Sequence, residues 1–90
     1  MPVVKLPSQL AGLAEGKTSI AVNAATIKEA FVALDQVAPM VRSQLFHKDG
    51  AMRPFVGIFV DGNQVIDPLA EDHLLQTAST LLVVMSVAGG

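Results

Sequence analysis

The sequence predicts an α+β fold in which one main helix packs on a mixed β-sheet. Three observations predict it. A single strong amphipathic helix spans Thr26 to Ala38, strand-like segments lie in pairs on both sides of it, and the sequence closes on an apolar run, Leu81-Leu82-Val83-Val84-Met85, that needs partners. Ninety residues with 51% hydrophobic and 16% charged composition describe one folded domain rather than a disordered chain.

In chain order, Val3-Val4-Lys5-Leu6 reads as a short strand stopped by Pro7, and Ser8 to Lys17 as a loop containing Gly12 and Gly16. Thr18 to Val22 alternates well enough for a second strand, with Ile20 and Val22 inward. Thr26 followed by Glu29 is a capping box, in which hydroxyl and carboxylate each take up a free backbone N–H. Ile27, Ala30, Phe31, Leu34, Val37 and Ala38 then recur at helical spacing and are read as core, with Lys28, Glu29, Asp35 and Gln36 on the other face. Pro39 ends this helix or starts a short second one through Val41 and Leu45.

His47-Lys48-Asp49-Gly50 marks a turn. Phe55 to Val60 is a strand, Asp61-Gly62-Asn63 a hairpin turn, and Gln64-Val65-Ile66 the return. Asp67-Pro68 suggests a capped helical turn, after which Leu74 to Ser79 leads into the last strand. Two hairpins cover one helix only if they share a sheet, and setting the first and last strands side by side in its centre achieves this. That arrangement is the β-grasp, assigned to residues 1–87, with 88–90 as a flexible C-terminal tail.

The composition excludes several functions. Without cysteine there is no disulfide, thiolate nucleophile or Cys-based metal site. A net charge of −2 with scattered basic residues argues against nucleic acid. No apolar run spans a membrane and no signal peptide is visible, so a cytoplasmic location is expected. His47 and His73 stand far apart without a matching carboxylate cluster, and Asp67, Glu71 and Asp72 read as a solvated turn. No phosphate loop or nucleophile motif is present.

The tail carries the chemistry. Gly89 and Gly90 lack a Cβ and thread where other residues clash, and a terminal Gly90 carboxylate is unhindered at its α-carbon. A carboxylate is a poor acyl donor, so an enzyme using it must first convert it to something like an acyl-adenylate. Fraying and cloning remnants are the plainer explanations of a terminal Gly-Gly.

The β-grasp order, the length of about ninety residues, the Val87-Ala88-Gly89-Gly90 end and the Phe55-to-Gly62 strand-turn together resemble the ThiS/MoaD group of small sulfur carriers. The likeness is to its CysO type, whose tail also ends Val-Ala-Gly-Gly; ubiquitin shares the fold and the Gly-Gly end. This sequence departs from the group at Gln76-Thr77-Ala78-Ser79, where many members have an acidic, Gly-containing turn, and at Met85-Ser86, where many have proline. The resemblance implies that an E1-like enzyme adenylates Gly90, that a sulfur donor converts the product to a thiocarboxylate, and that a downstream synthase accepts the sulfur. The carrier would be a co-substrate, not an enzyme, and would bind no cofactor or metal; ATP and the sulfur donor would be used by its activating partner. A JAMM-type metalloprotease that trims such tails is a further candidate partner. Cysteine, thiamine, molybdopterin and a sulfur-containing metabolite all remain as pathways, and the small subunit of molybdopterin synthase as an alternative role. A ubiquitin-like modifier joined through Gly90 and an interaction module with an inert tail are the competing functions.

A partner surface is expected on the sheet. With Val56, Ile58 and Val60 turned to the helix, Phe55, Gly57 and Phe59 face away, joined by Leu82 and Val84 from the last strand. Phe55, Phe59, Leu82 and Val84 would form an apolar patch leading to the tail. Arg42, Lys48 and Arg53 are candidates for meeting an acidic partner surface.

Overall fold

The computed structural model describes residues 1–70 and 73–86. Its elements are β1 (Val3–Lys5), α1 (Ser8–Ala11), β2 (Ser19–Ala21), α2 (Ile27–Val37), α3 (Pro39–Leu45), β3 (Val56–Val60), β4 (Asn63–Gln64) and β5 (Thr80–Met85). The strands form one sheet in the order β2-β1-β5-β3-β4. β5 is central, parallel to β1 and antiparallel to β3, while β1–β2 and β3–β4 are antiparallel hairpin pairs. The first and last strands therefore lie side by side as the sequence predicts, and the fold is a β-grasp.

α2 begins as its capping residues dictate. The Thr26 hydroxyl accepts from the Glu29 N–H at 3.1 Å, and the Glu29 carboxylate accepts from the Ala25 N–H at 2.9 Å, one residue before the expected partner. The Ile27 N–H, another orphan of the first turn, donates to the His73 carbonyl at 3.1 Å, and the Leu75 N–H donates to the Ala25 carbonyl at 2.8 Å. The irregular connection between β4 and β5 is thereby strapped to the helix start, with Leu75 buried.

Ile27, Ala30, Phe31 and Leu34 of α2, Val41 and Leu45 of α3, and Ile58, Leu81 and Val83 of the sheet form the core. Phe46 closes it edge-on against Phe31, with ring centroids 5.2 Å apart.

Several expectations need correction. Val37 is 53% exposed, not core. Ala38 leaves helical geometry (φ −140°, ψ 71°) so that Pro39 can start α3, and this turn buries Ala38 and Val41 while swinging Val37 outward. The stretch from Ser8 is not a loop: α1 passes into a 3₁₀ turn at Gly12–Ala14, burying Leu10 and Ala14 at i, i+4 spacing. It ends where Glu15 and Gly16 take positive φ (56° and 82°) and the Gly16 N–H returns to the Ala11 carbonyl at 2.7 Å.

The Asp61-Gly62 turn is a two-residue hairpin loop with positive φ at both residues (50° and 87°), as a type I′ turn requires. The return strand is shorter than predicted, because Ile66 leaves the sheet and stands exposed. Asp67 takes a positive φ of 56° and its carbonyl accepts from the Ala70 N–H at 3.1 Å, so Asp67-Pro68 opens a tight turn instead of a capped helix. The described parts of β1, β2 and β3 are each shorter at one or both ends than their predicted spans.

Adjacent residues of β5 should differ sharply on truncation. Leu81 is 0% and Leu82 40% exposed. Leu81→Ala is expected to cost about 3 kcal/mol in urea unfolding, and Leu82→Ala less than about 1 kcal/mol. Equal costs would contradict this register.

Candidate functional site

The alternation of β5 positions the candidate surface. Leu81 and Val83 are 0% and 1% exposed, whereas Leu82 and Val84 are 40% and 36% exposed. The register sets Phe59 opposite Leu82 and Gly57 opposite Val84 on β3, and Lys5 opposite Leu82 on β1. Phe59 is half-buried, and a Cβ built on Gly57 would meet its Cε1 at 3.8 Å, so the ring leans over the space that glycine leaves. Phe59, Leu82 and Val84 thus share an outward apolar stripe. Lys5 and Gln64, opposite Leu82 and Phe59 respectively, supply polar groups beside it.

Phe55 sits differently from the expectation. β3 begins at Val56, and half-buried Phe55 lies in the preceding turn, where its carbonyl accepts from the Ser86 N–H at 2.8 Å. It therefore guides the chain as it leaves β5. The predicted tail residues Val87, Ala88, Gly89 and Gly90 lie outside the described residues, as do Glu71 and Asp72.

The other candidates separate. His47 follows α3 and His73 lies on the strap to α2; among the described residues no group of three or more His, Cys, Asp or Glu is placed to hold a metal ion. No helix among the described residues is long and apolar enough to cross a membrane. Arg42, Lys48 and Arg53 do come together, bordering one groove at the end of α3.

Two features that position β5 escape a reading of the sequence. The Asp61 Oδ1 accepts from the Thr80 N–H at 2.9 Å, and the Asp61 N–H donates to the Thr80 carbonyl at 3.0 Å, so the hairpin turn also anchors the start of β5. Gln76-Thr77-Ala78-Ser79 closes on itself: the Ser79 Oγ accepts from the Gln76 N–H at 2.9 Å and the Ser79 N–H donates to the Gln76 carbonyl at 3.1 Å. An Asp-Gly pair signals a hairpin, but nothing in it signals a bond to a residue 19 positions later.

Mixed sheet, central last strand and gripping helix define a ubiquitin-like β-grasp fold. The fold is similar to that of small archaeal modifier protein 1 from Haloferax volcanii (TM-score 0.83, 24% identity, 99% of this chain and 98% of that one). It is similar also to a chain of the Amycolatopsis orientalis BexX/CysO complex (TM-score 0.86, 21% identity, 100% of both chains). Mycobacterium tuberculosis CysO matches as well (TM-score 0.83, 18% identity, 97% of this chain and 100% of that one). No family model and no curated protein sequence matches this chain. At these identities the likeness establishes the fold.

Asp61→Ala removes an acceptor and sets a less tolerant residue at positive φ, so a loss of about 1–2 kcal/mol is expected, with faster hydrogen exchange at the Thr80 amide. Asp61→Asn keeps an acceptor and tolerates that backbone, and is expected to stay near the parent protein in both measurements.

Proposed function

We propose that this protein is a sulfur carrier, acting as the co-substrate of an E1-like activating enzyme. The observation that supports this reading best is the continuity of the Val87-Ala88-Gly89-Gly90 end with the central strand of a β-grasp sheet. The sheet supplies a rigid body to be recognised, and the two glycines supply a chain thin enough to enter another protein's active site.

In this reading a Gly90 carboxylate oxygen attacks the α-phosphorus of ATP, releasing pyrophosphate and forming an acyl-adenylate. A sulfide-equivalent donor adds to the acyl carbon, AMP departs, and a thiocarboxylate remains. A synthase then takes up the sulfur, and water restores the carboxylate. Beyond the Gly90 carboxylate, these steps call for no side-chain nucleophile or acid–base group on the carrier, in keeping with a chain that lacks cysteine. Phe59, Leu82 and Val84 would form the docking face, with Phe55 beside the tail's exit; aromatic and large apolar groups carry much of the binding energy in such contacts.

A modifier role is the second reading, favoured by the likeness to small archaeal modifier protein 1. Activation is shared, and only the fate of the acyl group differs: a lysine amine in place of sulfur yields an isopeptide.

Incubation with ATP, sulfide and the host's E1-like enzyme is expected to raise the intact mass by the replacement of one oxygen with sulfur. Deletion of Gly90 should abolish the gain, and Phe59→Ala should lower kcat/KM of the activating enzyme roughly tenfold without unfolding the carrier. No gain, with the enzyme active on another carrier, would count against the reading. Isopeptide-linked products would favour the modifier.

A further inference from the structure

Two adjoining hollows lie where α3 and the loop after it approach α2. The larger, about 330 Å³, is bordered by Arg42, Phe46, His47, Lys48 and Arg53 among others. The smaller, about 180 Å³, shares Arg42 and Phe46 and adds Lys28. Four of the chain's six Lys and Arg residues (Lys28, Arg42, Lys48, Arg53) therefore border one strip, and among the described residues no Asp or Glu lines either hollow. Among the described residues, basic groups thus gather here on a chain with eight acidic residues and a net charge of −2.

Two of the cations, Arg53 and Arg42, are held in place. Arg53 donates from Nε and Nη2 to the Ser43 carbonyl at 3.3 and 3.1 Å, which orients its plane and uses two of its five N–H donors. The Arg42 guanidinium lies 5.0 Å from the centroid of the Phe46 ring, which is itself locked edge-on against Phe31. Lys48 sits in a turn closed by the Gly50 N–H on the His47 carbonyl at 3.0 Å. The neighbouring Asp49 carboxylate accepts from the Ala51 N–H at 2.9 Å, within its own turn. The two guanidinium groups, already ordered, lose little freedom when an anion arrives.

We propose that this strip docks an acidic segment of a partner protein, an extended stretch carrying two or more Asp or Glu side chains beside an apolar one. Guanidinium forks match carboxylates in two-point geometry. The donors are side chains spread along two hollows, as carboxylates spread along an extended chain require; a phosphate cradle is built instead from converging backbone N–H groups. Pro39 and Phe46 give the strip apolar walls for the residue between the acids. α3 packs its Val41 and Leu45 into the core from the side opposite the outward stripe, so both surfaces are open to contact at once. The proposal rests on the strip alone and stands apart from the carrier reading.

The test is an amide NMR titration of the ¹⁵N-labelled full chain at low salt. The probes are a short capped peptide of alternating glutamate and leucine, its lysine counterpart, inorganic phosphate and a short oligothymidylate. Saturable shifts at Arg42, Phe46, Lys48 and Arg53 are expected with the glutamate peptide alone. Arg42→Gln and Lys48→Gln should each weaken binding roughly two- to five-fold, while Lys17→Gln should leave it unchanged. Retained spectral dispersion shows which variants are folded, and Lys48→Gln carries the test if Arg42→Gln is not. Absent shifts at these residues, equal shifts with the lysine peptide, or tighter binding of phosphate or oligothymidylate there would overturn the proposal.

Discussion

β5 is hydrogen-bonded on both edges, parallel to β1 and antiparallel to β3, and this double pairing is the constraint on which the other features depend. A strand buried among its neighbours cannot shift by one residue without sending Leu81 and Val83 into solvent and Leu82 and Val84 into the core. The register consequently sets three things together: the apolar floor under α2, the outward stripe with Phe59, and the point at which the chain leaves the sheet beside Phe55. The Asp61 carboxylate at one end of β5 and the Phe55 carbonyl at the other pin the strand lengthwise. The described chain therefore leaves β5 from a defined position, with the Ser86 N–H bonded to the Phe55 carbonyl.

The surface divides by chemistry. The outward side of the sheet carries an apolar stripe with Lys5 beside it, whereas the end of α3 gathers basic groups held by a backbone carbonyl and an aromatic ring. The small net charge conceals this separation, because long-range fields sum over the chain while recognition depends on charges within about 10 Å. In the proposed carrier reading, surfaces of unlike character would let successive partners each use a different combination.

Much of this architecture is legible in the residues. The Thr26–Glu29 box, the β-branched terminal run and the Asp-Gly hairpin each specify local geometry through short-range chemistry, and together they leave few ways to arrange two hairpins and a helix. The outward placement of Leu82 and Val84 follows from strand alternation alone. What is not legible depends on contacts distant in sequence or on weak local patterns. Val37 fits the helical stripe, yet the turn at Ala38 exposes it. Leu10 and Ala14 signal a helical turn only faintly in a stretch punctuated by Gly12 and Gly16. The Asp61–Thr80 bond and the gathering of Arg42, Lys48 and Arg53 exist because of the chain's tertiary path. The proposal for the tail rests on residue chemistry alone, because Gly89 and Gly90 lie outside the described residues.

The most direct test of the central claim is the intact mass of the protein isolated from its own host, compared with that from cells lacking the E1-like enzyme. The expected result is a chain ending at Gly90, a fraction of which carries sulfur in place of one carboxylate oxygen, and the loss of that fraction with the enzyme. A chain that ends elsewhere, or a terminal carboxylate unchanged in both strains while a known carrier in the same cells is converted, would contradict it.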